Sequence, residues 1–161
     1  MTIPPDATIA FGADHGGLIL KDRLAEELRK AGRPVLDLGT HATASVDYPD
    51  YAHAVAQAVL DGRAAAGILV CGSGIGMSIT ANRHAGIRCA LVHDVTTARL
   101  CRQHNNANIL ALGERVIGWE VALEAMTVFL STAFEGGRHA RRLSRIDIGR
   151  IDVIDDEEGI N

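Results

Sequence analysis

The stretch "AGILVCGSGIGMSITANR" (residues 66–83) passes from an apolar segment, through a glycine-rich turn, into a helical pattern. Residues 66–71 are uncharged, which is typical of a strand buried on both faces of a parallel sheet. Gly72, Gly74 and Gly76 leave the turn almost without side chains. Its backbone N–H groups and the helix start then form a candidate site for a phosphate or an oxyanion, with a tight turn as the alternative. The G-x-G-x-G spacing differs from the G-x-G-x-x-G of dinucleotide-binding loops.

The same alternation of apolar runs and helical patterns extends along the whole chain. Strands are predicted over residues 8–13, 34–38, 66–71, 87–92 and 108–112. Helices are predicted over residues 17–32, 51–62, from the glycine turn to about 83, 94–105, 120–134 and about 137–151. This order predicts an α/β fold, a three-layer α/β/α sandwich with a five-stranded parallel, Rossmann-like sheet. We expect one domain over residues 1–151 and an acidic tail over residues 152–161.

Composition excludes several classes of protein. The 161 residues carry a net charge of −4, which gives no electrostatic basis for binding nucleic acid. The apolar runs are far shorter than a membrane span, and the N-terminus lacks the pattern of a signal peptide. Three cysteines in neither disulfide nor metal spacing indicate reduced thiols. We therefore expect a cytoplasmic protein with no nucleic-acid or membrane partner.

Polar residues follow most of the predicted strands. Ligands of parallel sheets bind beyond the carboxyl ends of the strands, so these residues should converge on one edge. The residues at the predicted strand ends, most of them polar, are Asp14, His15, Gly39, Thr40, Cys71, His93, Asp94 and Gly113 to Arg115. This convergence is the main functional inference from the pattern alone.

Cys71 has two interpretations. A free cysteine is usually a small buried hydrophobe, and we expect Cys89 and Cys101 to be that. Cys71 differs because it stands at a strand end, against exposed amides and a helix start, where reactive thiols occur. The residues alone leave both interpretations open.

Other titratable groups also have a structural and a functional interpretation. Asp14 is either a helix N-cap or, with His15, part of a site. His104, beside Asn105 at a helix end, either complements the helix dipole or acts in acid–base chemistry. Arg138 and Arg142, four residues apart, form either a solvated basic face or a phosphate clamp. The remaining histidines show no metal-binding spacing, so no metal is expected.

Six motifs together resemble the type-B ribose-5-phosphate isomerase family, which is related to galactose- and allose-phosphate isomerases. They are "FGADHGG", "DYPDYA", "ILVCGSGIGMSITANR", "GIRCALVHD", "RQHNNANILALGERVIG" and "EGGRHARR". The resemblance runs from about residue 8 to residue 147. The resemblance implies a sheet with strand order 2-1-3-5-4. It also implies a homodimer or tetramer with shared active sites, and conversion of aldose to ketose phosphates through an enediolate without metal or organic cofactor.

The resemblance assigns the proton transfer to the glycine turn. Cys71 is similar to the base that moves a proton between C1 and C2. A neighbouring subfamily uses a glutamate instead, at the position where this chain has Met77. Ser73 matches a hydroxyl that assists the transfer. The enediolate oxygen would be held by the amides of Gly72, Gly74, Ile75 and Gly76, in an oxyanion-hole role.

The remaining roles fall on residues spread along the chain. His104 and Asp14 resemble the pair that opens the sugar ring, and Asn105 resembles a sugar ligand. The phosphate clamp would consist of His15, Arg138 and Arg142. Tyr48 and Arg115 would also lie near the substrate. Some of these residues would come from a second subunit.

Two alternatives remain at this stage. One is an isomerase of another aldose phosphate, a tetrose, allose or galactose phosphate, because pocket depth sets sugar length. The other is a nucleotide-binding regulatory domain that uses the glycine turn and Asp94. The second leaves Cys71, His104 and the paired arginines unexplained.

Overall fold

The computed structural model describes residues 2–146, in which five parallel strands alternate with six helices. The strand order is β2-β1-β3-β5-β4, as expected. The strands are β1 Ile9–Ala13, β2 Val35–Asp37, β3 Ala66–Cys71, β4 Cys89–Leu91 and β5 Ile109–Gly113. The helices are α1 Leu18–Lys30, α2 Tyr48–Leu60, α3 Ile75–Ala81, α4 Val95–Asn105, α5 Trp119–Ser131 and α6 Arg138–Leu143.

Two hydrophobic cores cover the two faces of the sheet, with β3 at its centre. Successive side chains of a strand point to opposite faces, so Ile68 and Val70 enter one core while Leu69 and Cys71 enter the other. The first core contains side chains of α1, α4 and α5, and the second contains those of α2 and α3. The three-layer α/β/α prediction is therefore confirmed.

Three helix boundaries differ from the prediction by three or more residues, one of them the end of α5, at Ser131 rather than at residue 134. Helix α2 begins at Tyr48 rather than at residue 51, because Pro49 lies in its first turn, where the fixed φ of proline favours a helix start. Helix α6 ends at Leu143, although the pattern predicted a helix to about residue 151. Serine and β-branched isoleucine, which are weaker helix formers, follow Leu143. Residues 147–151 and the predicted acidic tail, 152–161, lie outside the described residues.

A membrane-spanning helix needs a certain length and an apolar composition. Within residues 2–146, none of the helices combines the length and the apolar composition that a membrane span requires.

Candidate active site

The loops that follow β1, β3 and β5 meet at the carboxyl edge of the sheet. The Glu114 N–H donates to the Cys71 carbonyl at 2.9 Å, and the Arg115 N–H donates to the Gly72 carbonyl at 3.0 Å. A Cβ built on Gly16 would lie 3.3 Å from the Gly72 nitrogen, which brings the loop after β1 into the same group. The predicted convergence of these three strand ends is thus confirmed.

Cys71 is both packed and accessible to a ligand. Its side chain is only 5% exposed, but it lines a cavity of about 350 Å³ together with Tyr48, Gly72, Ser73, Gly76, Arg115 and Val116. The Gly74 N–H donates to its Sγ at 3.0 Å. Gly74 has a φ of +78°, which favours glycine, and a Cβ there would lie 2.6 Å from Leu91. The turn therefore curls back so that its amide points at the sulfur.

Cys89 and Cys101 differ from Cys71. Burial raises the pKa of the Cys89 thiol and raises that of the Cys101 thiol to about 11. The Cys101 thiol donates to the Ala98 carbonyl at 3.2 Å. Both remain protonated at neutral pH, which agrees with the packed role predicted for them.

The turn after Cys71 is ordered by short-range contacts. The Ser73 Oγ accepts from the Ile75 N–H at 3.3 Å. The Tyr48 ring lies directly over Gly76, where a Cβ would come within 2.6 Å of two ring carbons. A side chain at residue 76 would therefore displace Tyr48. Ser73, Ile75, Gly76 and Tyr48, all predicted site residues, lie together here.

Asp14 and His15 are held in the first loop. The Asp14 side chain is 8% exposed, and its Oδ1 accepts from the Gly16 N–H at 2.9 Å, so it closes its own turn and does not cap α1. His15 is exposed, and its Nδ1 accepts from the Val46 N–H at 3.2 Å. This bond joins the loop before α2 to the site and leaves Nε2 to carry the proton when the ring is neutral.

Sequence reasoning placed Glu114 among the residues that follow β5 but assigned it no role. Its Oε2 accepts the Leu20 N–H at 2.9 Å, in the first turn of α1, whose own N-cap Gly17 has no capping side chain. A carboxylate is favourable at a helix N-terminus. Glu114 thereby ties the loop after β5 to α1, and it precedes Arg115, whose side chain lies about 3.6 Å from a Cβ built on Gly72. The 94-residue separation explains why no local pattern revealed the contact.

The other predicted residues lie at the opposite edge of the sheet. His104 and Asn105 end α4, just before β5 begins at Ile109, whereas Cys71 pairs with Gly113 at the far end of β5. Four steps of a parallel strand span roughly 13 Å. Sequence reasoning placed His104 and Asn105 at a helix end near β5, and the structure adds that this end is remote from Cys71.

Helix α6 accompanies this second group. The His139 ring stacks on His104, with centroids 4.4 Å apart and planes 3° from parallel. This contact brings Arg138 and Arg142, on the same short helix, to the amino edge of the sheet. Within one described chain, the predicted site residues therefore form two separate groups.

A possible cation site needs three donors close together. Among residues 2–146, the ligand atoms of His104, Glu135 and His139 lie within 4.8 Å of one another. The two ring planes are parallel, so their nitrogen lone pairs do not converge on one point. The Arg138 Nε–H also donates to the His139 Nε2 at 3.4 Å. This arrangement does not fit a shared cation without rotation of a ring.

Asp94 caps a helix. Its Oδ1 accepts from the Thr97 N–H at 2.8 Å, and its Oδ2 accepts from the Thr97 hydroxyl at 2.9 Å. These bonds to Thr97 hold the pKa of the carboxyl below its ordinary value. The carboxylate that a nucleotide ribose would need is thus already engaged at the start of α4.

Residues 9–146 match the sequence profile of a family described as Ribose/Galactose Isomerase. The chain belongs to this family. It is 46% identical to ribose-5-phosphate isomerase B of Escherichia coli (strain K12) over 138 residues, which cover 86% of this chain and 93% of that protein. It is 43% identical to D-erythrulose-4-phosphate isomerase of Pectobacterium atrosepticum over 140 residues, 86% of this chain and 92% of that protein.

Solved structures of the family agree with the fold. A ribose 5-phosphate isomerase from Thermotoga maritima is 51% identical and superposes with a TM-score of 0.86, covering 88% of this chain and 97% of that one. Ribose-5-phosphate isomerase B from Clostridium thermocellum is 50% identical, also with a TM-score of 0.86, and covers 86% and 94% of the two chains. The predicted resemblance and the predicted class of enzyme, a sugar phosphate isomerase, are confirmed.

Proposed function

We propose that the protein interconverts D-ribose 5-phosphate and D-ribulose 5-phosphate through an enediolate, with Cys71 as the base and without a metal ion. The observation that carries the proposal is a cavity-lining sulfur with an amide donor 3.0 Å away. The names of the relatives, ribose-5-phosphate isomerase B among them, support the substrate.

The reaction needs a base and a place for negative charge. Cys71 takes the proton from C2 of the aldose and returns it to C1, while the hydroxyl proton passes from O2 to O1, so no net proton is consumed. The charge that develops on the oxygen is held by the turn amides, which are already oriented by the fold. The amides proposed for this role belong to Gly72, Gly74, Ile75 and Gly76. Those of Gly74 and Ile75 donate to the Cys71 Sγ and the Ser73 Oγ in the described chain, so they would have to be shared with the substrate. The Ser73 hydroxyl would assist the proton transfer.

The sugar enters as a ring and must be opened first. We assign ring opening to Asp14 and His104 and sugar binding to Asn105. Asp14 lies at the carboxyl edge of the sheet, whereas His104 and Asn105 lie at the amino edge. One site can contain all three only if a second copy of the chain supplies the amino-edge group. We therefore propose a homodimer or tetramer with shared sites.

The phosphate end of the substrate needs cations. Arg138 and Arg142 stand one turn apart on α6, a spacing that suits a phosphate held by two guanidinium groups. His15 would complete this clamp from the carboxyl edge. Tyr48 and Arg115, which line the Cys71 cavity, would contact the sugar between the two ends.

Another aldose phosphate is the second candidate substrate. The observation in its favour is the 43% identity to a protein named D-erythrulose-4-phosphate isomerase. A nucleotide-binding regulatory function is disfavoured, because Asp94 is engaged as a helix cap.

A kinetic panel of four-, five- and six-carbon sugar phosphates tests the substrate assignment. We expect the highest kcat/KM with ribose 5-phosphate and ribulose 5-phosphate. A higher kcat/KM with a tetrose or hexose phosphate would move the assignment to that sugar. Nucleotide binding by calorimetry, with no isomerisation of any sugar phosphate, would support the regulatory alternative.

A further inference from the structure

The end of α4 carries a compact cluster, defined here as His104, Glu135 and His139. The Glu135 Oε2 lies 3.9 Å from the His104 Nε2 and 3.7 Å from the His139 Nε2. The two rings are stacked almost in parallel. The His139 side chain is only 8% exposed, whereas that of His104 is 38% exposed and open to a ligand. The cluster therefore has one accessible ring supported by a buried ring and a carboxylate.

Hydrogen bonds to backbone carbonyls hold the cluster together. The Glu135 N–H donates to the Gln103 carbonyl at 3.0 Å, one residue before His104. The Arg102 Nε–H donates to the Thr132 carbonyl at 3.4 Å, so the segment before Glu135 is also fixed to α4. The His139 N–H donates to the Gly136 carbonyl at 3.0 Å. The end of α4, the segment after α5 and the start of α6 thus form one unit.

His139 serves as a neutral surface for His104. Burial, followed by the charges of His104 and Arg138, lowers the pKa of His139. Its Nε2 accepts a hydrogen bond from the Arg138 Nε–H. A neutral ring can stack on His104 without charge repulsion, and Glu135 supplies a negative charge beside both rings.

We propose that Glu135 and His139 are positioning residues that hold the His104 ring for opening of the cyclic substrate. This inference rests on the proposed function. In the step, the O1 hydroxyl loses a proton, the C1–O4 bond breaks with its electrons passing to O4, and O4 gains a proton. A carbonyl forms at C1, and the protons balance. His104 performs one of the two transfers, and its geometry depends on the support beneath it.

The test separates ring opening from the proton transfer at Cys71. Ribose 5-phosphate is cyclic, so its turnover needs ring opening. Ribulose 5-phosphate is acyclic, because the oxygen that would close its ring carries the phosphate. In D2O, NMR follows the loss of the C1 proton signals of ribulose 5-phosphate. This loss reports every formation of the enediolate, whether the intermediate returns to ribulose 5-phosphate with deuterium or goes on to product. It needs no ring opening.

Glu135→Gln keeps the shape of the side chain and removes its charge. We expect kcat with ribose 5-phosphate to fall roughly five- to tenfold, since a partly solvated charge pair is modest in strength. The rate of C1 proton loss from ribulose 5-phosphate should stay within about twofold. Glu124→Gln, at an exposed position of α5 outside the cluster, is the matched control and should change neither rate.

His139 is tested with two variants. His139→Phe keeps a flat ring and should retain kcat with ribose 5-phosphate within about threefold, whereas His139→Ala should lower it as Glu135→Gln does. Equal losses of both rates in Glu135→Gln, or no loss in either, would overturn the inference. An equal fall in His139→Phe and His139→Ala would overturn the stacking role. A wild-type protein that acts on neither pentose phosphate would instead refute the proposed function.

Discussion

The carboxyl and amino edges of the sheet hold their functional groups in different ways. At the carboxyl edge, backbone bonds from Glu114 and Arg115 lock the loop after β5 to the turn after Cys71. At the amino edge, backbone bonds also join the segments, but side-chain contacts orient the functional groups, with His139 stacked on His104 beside Glu135. Proton transfer at carbon demands fixed geometry, whereas phosphate binding tolerates longer, solvated side chains. The proposed division of chemistry between the edges follows this difference.

Cys71→Ala removes the proposed base and should produce the largest effect. We expect kcat to fall about 10³-fold or more, with KM changed by a few-fold at most, because the binding residues remain. Steady-state kinetics with ribose 5-phosphate measure both values. Cys89→Ala, at a thiol whose pKa burial raises, is the matched control and should retain kcat. Near-wild-type turnover of Cys71→Ala would remove the cysteine from the mechanism.

Substitution of the two clamp arginines at the amino edge should act on binding instead. Arg138→Ala and Arg142→Ala should each raise KM roughly 10- to 100-fold, since each removes a charged hydrogen-bond donor from the phosphate. Arg141→Ala, on a neighbouring face of the same helix, should leave KM within about twofold. If KM stays unchanged in both clamp variants, the phosphate is bound elsewhere, and the contrast between the two edges is lost.

Glu114→Gln should have the smallest effect of the three. Losing the carboxylate at the first turn of α1 should lower the free energy of unfolding by about 1 kcal/mol, as for other helix caps. We also expect a several-fold fall in kcat/KM, because Glu114 braces the loop that carries Arg115. Thermal melts and kinetics on the same preparation check both effects. Unchanged stability with unchanged kcat/KM would show that the backbone bonds alone hold this edge.

The carboxyl edge was largely predictable from the sequence, because parallel strands must end together and polar residues follow their ends. The hydrogen bond from Gly74 to Cys71 was not predictable, since it depends on the left-handed conformation of one glycine. The cap from Glu114 joins residues 94 positions apart and leaves no local pattern. Helix α6 was predicted too long, because the arginine-rich pattern continues past the point where weaker helix formers end it.

The amino edge was harder to predict. The sequence marked His104 and the two arginines as candidates but did not place them roughly a strand length from Cys71. The stacking of His139 on His104 joins residues from α4 and α6, and only the packing of these helices reveals it. The grouping of site residues by edge is thus what the structure adds.

The central claim is that the two edges form one site only between two copies of the chain. Mixing Cys71→Ala with the Arg138→Ala/Arg142→Ala double variant, after joint unfolding and refolding, tests it most directly. In a mixed dimer, one shared site combines the carboxyl edge of the Cys71→Ala copy with the amino edge of the double variant and carries every defect. The other site combines the two unchanged edges and carries none. At a substrate concentration far below the KM of the double variant, random pairing of the two variants should therefore restore about a quarter of the wild-type activity. A mixture that stays as inactive as its two components would contradict the account.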